Sequence, residues 1–245
     1  MEKNTTTTKR HGAFRGVLFD MDGTLIDTER LGAASWDHAG EELGLTVPEE
    51  VKRRMVGRTL PDIHAIVREG MPEVDSDRLL ERANHHYHRL VSEAPPPVKA
   101  GARELLAWLK ARDVPMAIAT SSRRVQAEDK LGRTGLRDFF DVIVAGDEIK
   151  RGKPDPEIFQ TAAERLGIPA RSCVIFEDSA PGIEAAERSG GLAVLVPEVH
   201  PPDPAMVLFA HYVLRDLHEA LPRVSTWLDS HGHIPVPEGA RPPTL

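Results

Sequence analysis

The stretch Gly16-Val17-Leu18-Phe19-Asp20-Met21-Asp22-Gly23-Thr24-Leu25-Ile26-Asp27-Thr28 decides how the chain is read. It opens on an apolar run, Val17 to Phe19, suited to a strand buried on both faces of a parallel sheet. The run stops on Asp20. Asp22 follows two residues later, on the same side for as long as the chain stays extended. Gly23 permits the turn that takes the backbone out of the sheet. Two carboxylates therefore stand at the carboxyl end of a strand, where open α/β sheets bind their ligands. A carboxylate can act as a nucleophile and become an aspartyl-phosphate. Two acids this close repel each other, and Mg²⁺, which needs only one or two carboxylates, relieves the repulsion. An Asx-turn or N-cap accounts for an isolated Asp-Gly and stays the lesser reading for two acids directly after an apolar strand.

Beyond Thr28 the pattern turns helical. Glu29 to Leu43, Pro48 to Met55, Pro61 to Glu69 and Asp75 to Val91 read as helices, broken at Gly44, Gly57 and Gly70-Met71-Pro72. Ala94-Pro95-Pro96-Pro97-Val98 reads as a stiff linker. Strands and helices then alternate. The strands are Val114–Ala119, Val142–Ala145, Cys173–Phe176, Leu192–Val196 and His211–Leu214. The helices are Gly101–Arg112, Arg124–Leu131, Pro156–Leu166 and Pro181–Ser189. This spacing predicts an α/β fold with a doubly wound parallel sheet. The expected organisation is an α/β core over 13–28 and 98–229, a helical cap domain inserted at 29–97, and disordered tails at 1–12 and 230–245.

Composition narrows the function. With 40% hydrophobic and 28% charged residues, the 245-residue chain has enough apolar surface for a core. The net charge of −7 and the lack of a dense basic run exclude nucleic acid as an expected partner. No apolar run has the length of a membrane span, and no secretory signal is read in the polar first ten residues. A single cysteine, Cys173, forms no internal disulfide and fits a reducing compartment. The protein is read as cytoplasmic, a monomer or weak homodimer.

Three further strand ends carry polar groups. Thr120, followed by Ser121 and Ser122, offers a hydroxyl and backbone N–H groups to a phosphate oxygen, although taken alone it reads as an ST-turn or N-cap. Lys153, in Arg151-Gly152-Lys153-Pro154-Asp155-Pro156, is fixed by its neighbours and suits a place among carboxylates and a phosphoryl oxygen. Glu177-Asp178 ends the run Val174-Ile175-Phe176, and two acids there are costly unless a cation or lysine accepts them.

These four signals, in this order, resemble the motifs of the haloacid dehalogenase-like (HAD) superfamily, and the helical block resembles the small cap of its β-phosphoglucomutase-like branch. The resemblance implies a HAD core and a Mg²⁺-dependent phosphatase acting on a small phosphorylated metabolite. It implies Asp20 as nucleophile, Asp22 as acid and base, and Thr120, Ser121 and Lys153 as phosphate-binding groups. It further implies Mg²⁺ on Asp20, the Asp22 carbonyl and Asp178, with Glu177 in support directly or through water. Arg58 sits where relatives place a substrate-facing loop, and a solvated arginine accounts for it equally. The alternatives are a sugar phosphomutase of the same branch and a phosphate-binding regulator without turnover. β-Phosphoglucomutases carry a histidine at the position matched here by Gly32. His85, His86 and His88 read as a polar helix face, Trp36, Trp108 and Trp227 as packing residues, and Cys173 as a buried strand residue.

Overall fold

The first apolar run forms the innermost strand, β1 (Gly16–Phe19), buried at every position. A computed structural model of the chain describes residues 14–55, 60–197 and 202–229. Arg58 and both tails expected to be disordered lie outside the described residues. After β1 come four helices, α1 (Thr28–Leu43), α2 (Glu49–Met55), α3 (Leu60–Gly70) and α4 (Ser76–Glu93). The chain then alternates: α5 (Ala102–Lys110), β2 (Met116–Ala119), α6 (Arg124–Arg133), β3 (Val142–Val144), α7 (Glu157–Arg165), β4 (Cys173–Glu177), α8 (Ala180–Arg188) and β5 (Leu192–Leu195). It closes with a short α9 (Pro204–Val207), β6 (Tyr212–Val213) and α10 (Leu217–Asp229).

The six strands form one parallel sheet in the order β3-β2-β1-β4-β5-β6. The order reverses at β1, so the carboxyl ends of β1 and β4 flank the topological switch point. Alternate side chains feed opposite faces. Val17, Phe19, Ile118, Val174 and Phe176 pack with α5 and α10, whereas Leu18, Ala117, Ala119, Cys173 and Ile175 pack with α7 and α8. Both faces are covered, which is why the strands read as continuous apolar runs. Phe19 and Phe176 stack across the β1–β4 pair with ring centroids 5.2 Å apart.

Helices α1 to α4 bury a cluster of their own, which includes Ala39, Val51, Met55, Val67, Leu79 and Ala83, with Trp36 against it. Two chain crossings join them to the sheet, tied side by side. Asp27 N donates to Pro97 O (2.8 Å) and Lys99 N to Leu25 O (2.9 Å), beside the antiparallel Ile26–Val98 bridge.

Two parts of the structure differ from the sequence expectation. His86 does not lie on a solvated polar face: it is buried beside Leu79 and Ala83, and its Nε2 lies 2.8 Å from Glu42 Oε2. Position 86 is three residues after Ala83 and seven after Leu79, so the helix turns it inward, and Glu42 makes the burial tolerable. The second is α10, a helix absent from the sequence expectation, which runs through Pro222. Leu217, Ala220, Val224 and Trp227 nevertheless form a buried helical stripe, with the Trp227 ring 4.8 Å from that of Tyr212.

Cys173 opens β4 with no exposed surface, and burial pushes its thiol up to about 12. A covered thiol that stays protonated is a poor nucleophile. Native protein at about pH 8 is expected to resist an aromatic disulfide reagent, whereas urea-unfolded protein should react at its single cysteine. Fast labelling of the native protein would contradict this packing.

Candidate active site

Asp20 follows β1 directly, and its backbone N–H still donates to Phe176 O of β4 (2.9 Å). The chain then leaves the sheet in a tight turn in which Leu25 N and Ile26 N both donate to Met21 O, and Gly23 N to Ile26 O. Gly23 has φ +90°, and a β-carbon there would lie 2.1 Å from Asp178 Oδ2. Glycine is therefore required twice over, for the left-handed backbone and for the close approach of the β1 loop to the β4 loop.

Lys153 joins these two loops. Its side chain is 6% exposed, and its Nζ donates to Asp20 Oδ1 (2.5 Å) and Glu177 Oε1 (2.7 Å). Glu177 Oε2 in turn accepts from Asp178 N (2.8 Å), Ser179 N (2.8 Å) and Ser179 Oγ (3.0 Å) at the start of α8. Glu177 is thus fully buried with both oxygens engaged by protein. This residue, expected to support a metal directly or through water, bonds Lys153 and the start of α8. Asp178 is the acid of this pair left nearer solvent, and its Oδ1 accepts from Thr24 Oγ1 (2.8 Å). Thr24 belongs to the opening stretch but has no role in the sequence reading.

The second acid faces other partners. Asp22 Oδ2 accepts from Ser122 Oγ (2.7 Å) and Thr120 Oγ1 (3.4 Å), while Lys130 Nζ of α6 donates to Asp22 Oδ1 (2.6 Å). Ser122 N donates to Thr120 Oγ1 (3.1 Å), closing the turn after β2. Ser122, rather than the exposed Ser121, turns its hydroxyl to this acid. Asp22 does not lie on an extended strand with Asp20, because β1 ends at Phe19. Nothing local in the sequence marks Lys130 as a partner of Asp22. A weak signal exists: it lies three residues after Ala127 and next to Leu131, both wholly buried.

The electrostatics show what the pocket lacks. Burial pushes Asp20 up to about 7, with Lys153 opposing and Glu177 adding to the rise. Burial, then Glu177 and Asp20, also hold Asp178 well above the ordinary carboxylate range. Burial lowers Lys153, but Asp20 and Glu177 more than reverse it, so its pKa is raised. Three acids share one ammonium, and a divalent cation fits that deficit. Among the described residues no three His, Cys, Asp or Glu side chains form a metal cage. Mg²⁺ does not require one, because it keeps several waters and takes one or two carboxylates. Asp20 and Asp178 suit that donor set.

A doubly wound sheet with acids and a buried lysine at its switch point defines a class of α/β enzyme. The chain belongs to the haloacid dehalogenase-like hydrolase family, which matches residues 17–196. It resembles a phosphorylated carbohydrates phosphatase of Thermotoga maritima, 37% identical over 179 residues, spanning 71% of this chain and 81% of the relative. It also resembles the β-phosphoglucomutase of Bacillus subtilis, 31% identical over 194 residues, 76% of this chain and 85% of the other. Among solved structures, a HAD family hydrolase from Deinococcus radiodurans R1 with bound phosphate and sodium matches with a TM-score of 0.75. It is 29% identical, with 87% of this chain and 95% of that chain covered. The protein is thus an enzyme, a HAD-type hydrolase with phosphatases among its relatives.

Gly182, in the first turn of α8, tests the anchor. A β-carbon there would lie 1.7 Å from Glu177 Oε1, and Glu177 is held by four donors. Gly182→Ala is expected to cost about 1–3 kcal/mol of stability, as overpacking does, and to lower activity by displacing Lys153. Urea unfolding and turnover measured together check it; an unchanged midpoint with full activity would refute the anchoring role.

Proposed function

We propose that this enzyme is a Mg²⁺-dependent phosphatase of small phosphorylated metabolites, sugar phosphates among them, working through an aspartyl-phosphate on Asp20. The contact of Asp20 with Lys153 at 2.5 Å, beside Asp22 and Asp178, carries this reading. Asp20 attacks phosphorus as its carboxylate, and the phosphorus–alkoxide bond breaks. Asp22 gives its proton to the departing oxygen. Asp22 then takes a proton from the water that attacks the aspartyl-phosphate, and inorganic phosphate leaves with Asp20 restored. Lys153 faces the phosphoryl oxygens, and the Thr120–Ser122 turn supplies hydroxyl and backbone donors. Mg²⁺, held by Asp20, Asp178 and the Asp22 carbonyl, would neutralise charge on the phosphoryl oxygens. The helical insertion at 29–97 acts as a cap that excludes bulk water. We read the enzyme as cytoplasmic, a reading that the single buried Cys173 supports.

The Bacillus relative makes a phosphomutase the second reading. A mutase must protect its aspartyl-phosphate from water until the sugar is in place. Gly32, on α1, has open space where a β-carbon would lie and lines a cavity of about 510 Å³ between α1, α3 and α4. It offers no side chain to restrain Asp22, which favours hydrolysis.

Three measurements test this proposal. Asp20→Asn is near-isosteric and relieves like-charge repulsion, so it should fold normally and abolish turnover. Activity within a few-fold of wild type would sink the nucleophile. EDTA should stop turnover, Mg²⁺ restore it, and Ca²⁺ substitute poorly, because its looser shell spoils in-line geometry. Incubation with a hexose 1-phosphate, followed for both products, should yield free phosphate without a bisphosphate activator. Accumulation of hexose 6-phosphate with little free phosphate would establish the mutase instead.

A further inference from the structure

Lys130 has no part in the phosphatase reading so far, yet it touches one of its two essential acids. Only 8% of the residue is exposed, and burying an ammonium is costly unless a carboxylate meets it. Asp22 is that carboxylate, at 2.6 Å, and Ser122 Oγ lies 3.5 Å from the same nitrogen. All three side-chain contacts of Asp22, from Lys130, Ser122 and Thr120, come from α6 and the turn after β2. The lysine of Asp20 arrives instead from the loop before α7, beside β4. The two acids of Asp20-Met21-Asp22 therefore meet different ammonium groups. The Asp22 side chain remains 26% exposed, so the clamp leaves it access to the pocket.

We propose that Lys130 is the positioning residue for Asp22, fixing the rotamer from which that acid serves the leaving group. The proposal rests on the phosphatase reading. A carboxyl that must deliver a proton to a departing oxygen loses efficiency steeply when its geometry loosens. Lys130 fixes it with one strong, charge-assisted bond while Ser122 holds the other oxygen.

The test compares kcat/KM for p-nitrophenyl phosphate and phenyl phosphate, which are similar in shape but differ in leaving group. This parameter covers steps up to release of the phenol, so water attack on the aspartyl-phosphate does not enter it. The phenolate of phenyl phosphate is the poorer leaving group and depends more on the proton from Asp22. Lys130→Met should lower kcat/KM for phenyl phosphate about tenfold more than for p-nitrophenyl phosphate, well within the range of general-acid effects. Lys130→Arg, which keeps the charge, should return the ratio to within about threefold of wild type. Lys130→Gln, which retains a hydrogen bond, should show a smaller bias in the same direction and serves if Lys130→Met fails to fold. On an Asp22→Asn background, Lys130→Met should change kcat/KM by less than about twofold, because the group it positions is gone.

Equal losses on both substrates, or a full further loss on the Asp22→Asn background, would overturn the proposal and leave Lys130 a structural ion pair. Asp20→Asn, assayed with p-nitrophenyl phosphate, separates the two levels of argument. If it retains activity, the phosphatase mechanism itself fails; if it is inactive while the substrate ratio in Lys130→Met is unchanged, only the role of Lys130 fails.

Discussion

Lys153 sits between Asp20 and Glu177 with its ammonium almost wholly out of water, and the site is arranged around that contact. A buried charge is tolerated only where its partners are fixed and its remaining bonds are made. Here the fixing is done by Glu177, whose second oxygen is taken by two backbone N–H groups and a hydroxyl at the start of α8. The partial positive charge of a helix N-terminus suits a carboxylate in that place. Gly182 leaves the space that the carboxylate fills. The result is a rigid ammonium aimed at Asp20, held by a residue that itself has no free oxygen to offer.

The same arrangement leaves the pocket short of positive charge. Asp20 and Asp178 are both pushed up, first by burial and then by neighbouring acids, because one ammonium cannot satisfy three carboxylates. A protein that only needed stability would replace such a group with apolar side chains. Retaining it at the switch point of a parallel sheet is what a functional site, rather than a structural ion pair, calls for.

Asp20 and Asp22 are two residues apart yet belong to different halves of the site. Asp20 is held toward β4 by Lys153, and Asp22 toward β2 by Ser122 and Lys130. The turn through Met21 and Gly23 makes this possible, since the chain has already left β1 when Asp22 is reached. The helical insertion departs from the same turn and returns beside it through the Ile26–Val98 bridge, so its two crossings lie next to the acids.

The sequence by itself determined a doubly wound parallel sheet and the strand ends on which Asp20, Thr120 and Glu177-Asp178 stand. Strands buried on both faces must be apolar runs, so an acid that ends such a run is conspicuous. Four such signals in order also carried the family. Only the tertiary structure decided the pairings: Ser122 rather than Ser121 on Asp22, Glu177 turned inward to hold Lys153, His86 buried against Glu42, and Lys130 on an acid 108 residues away. α10 too is decided by packing, since its buried stripe against α5 outweighs the local helix breaker Pro222. A side chain's partner depends on how one helix docks beside another. That docking is set by the summed packing of the core, and no residue type or spacing near Lys130 records it.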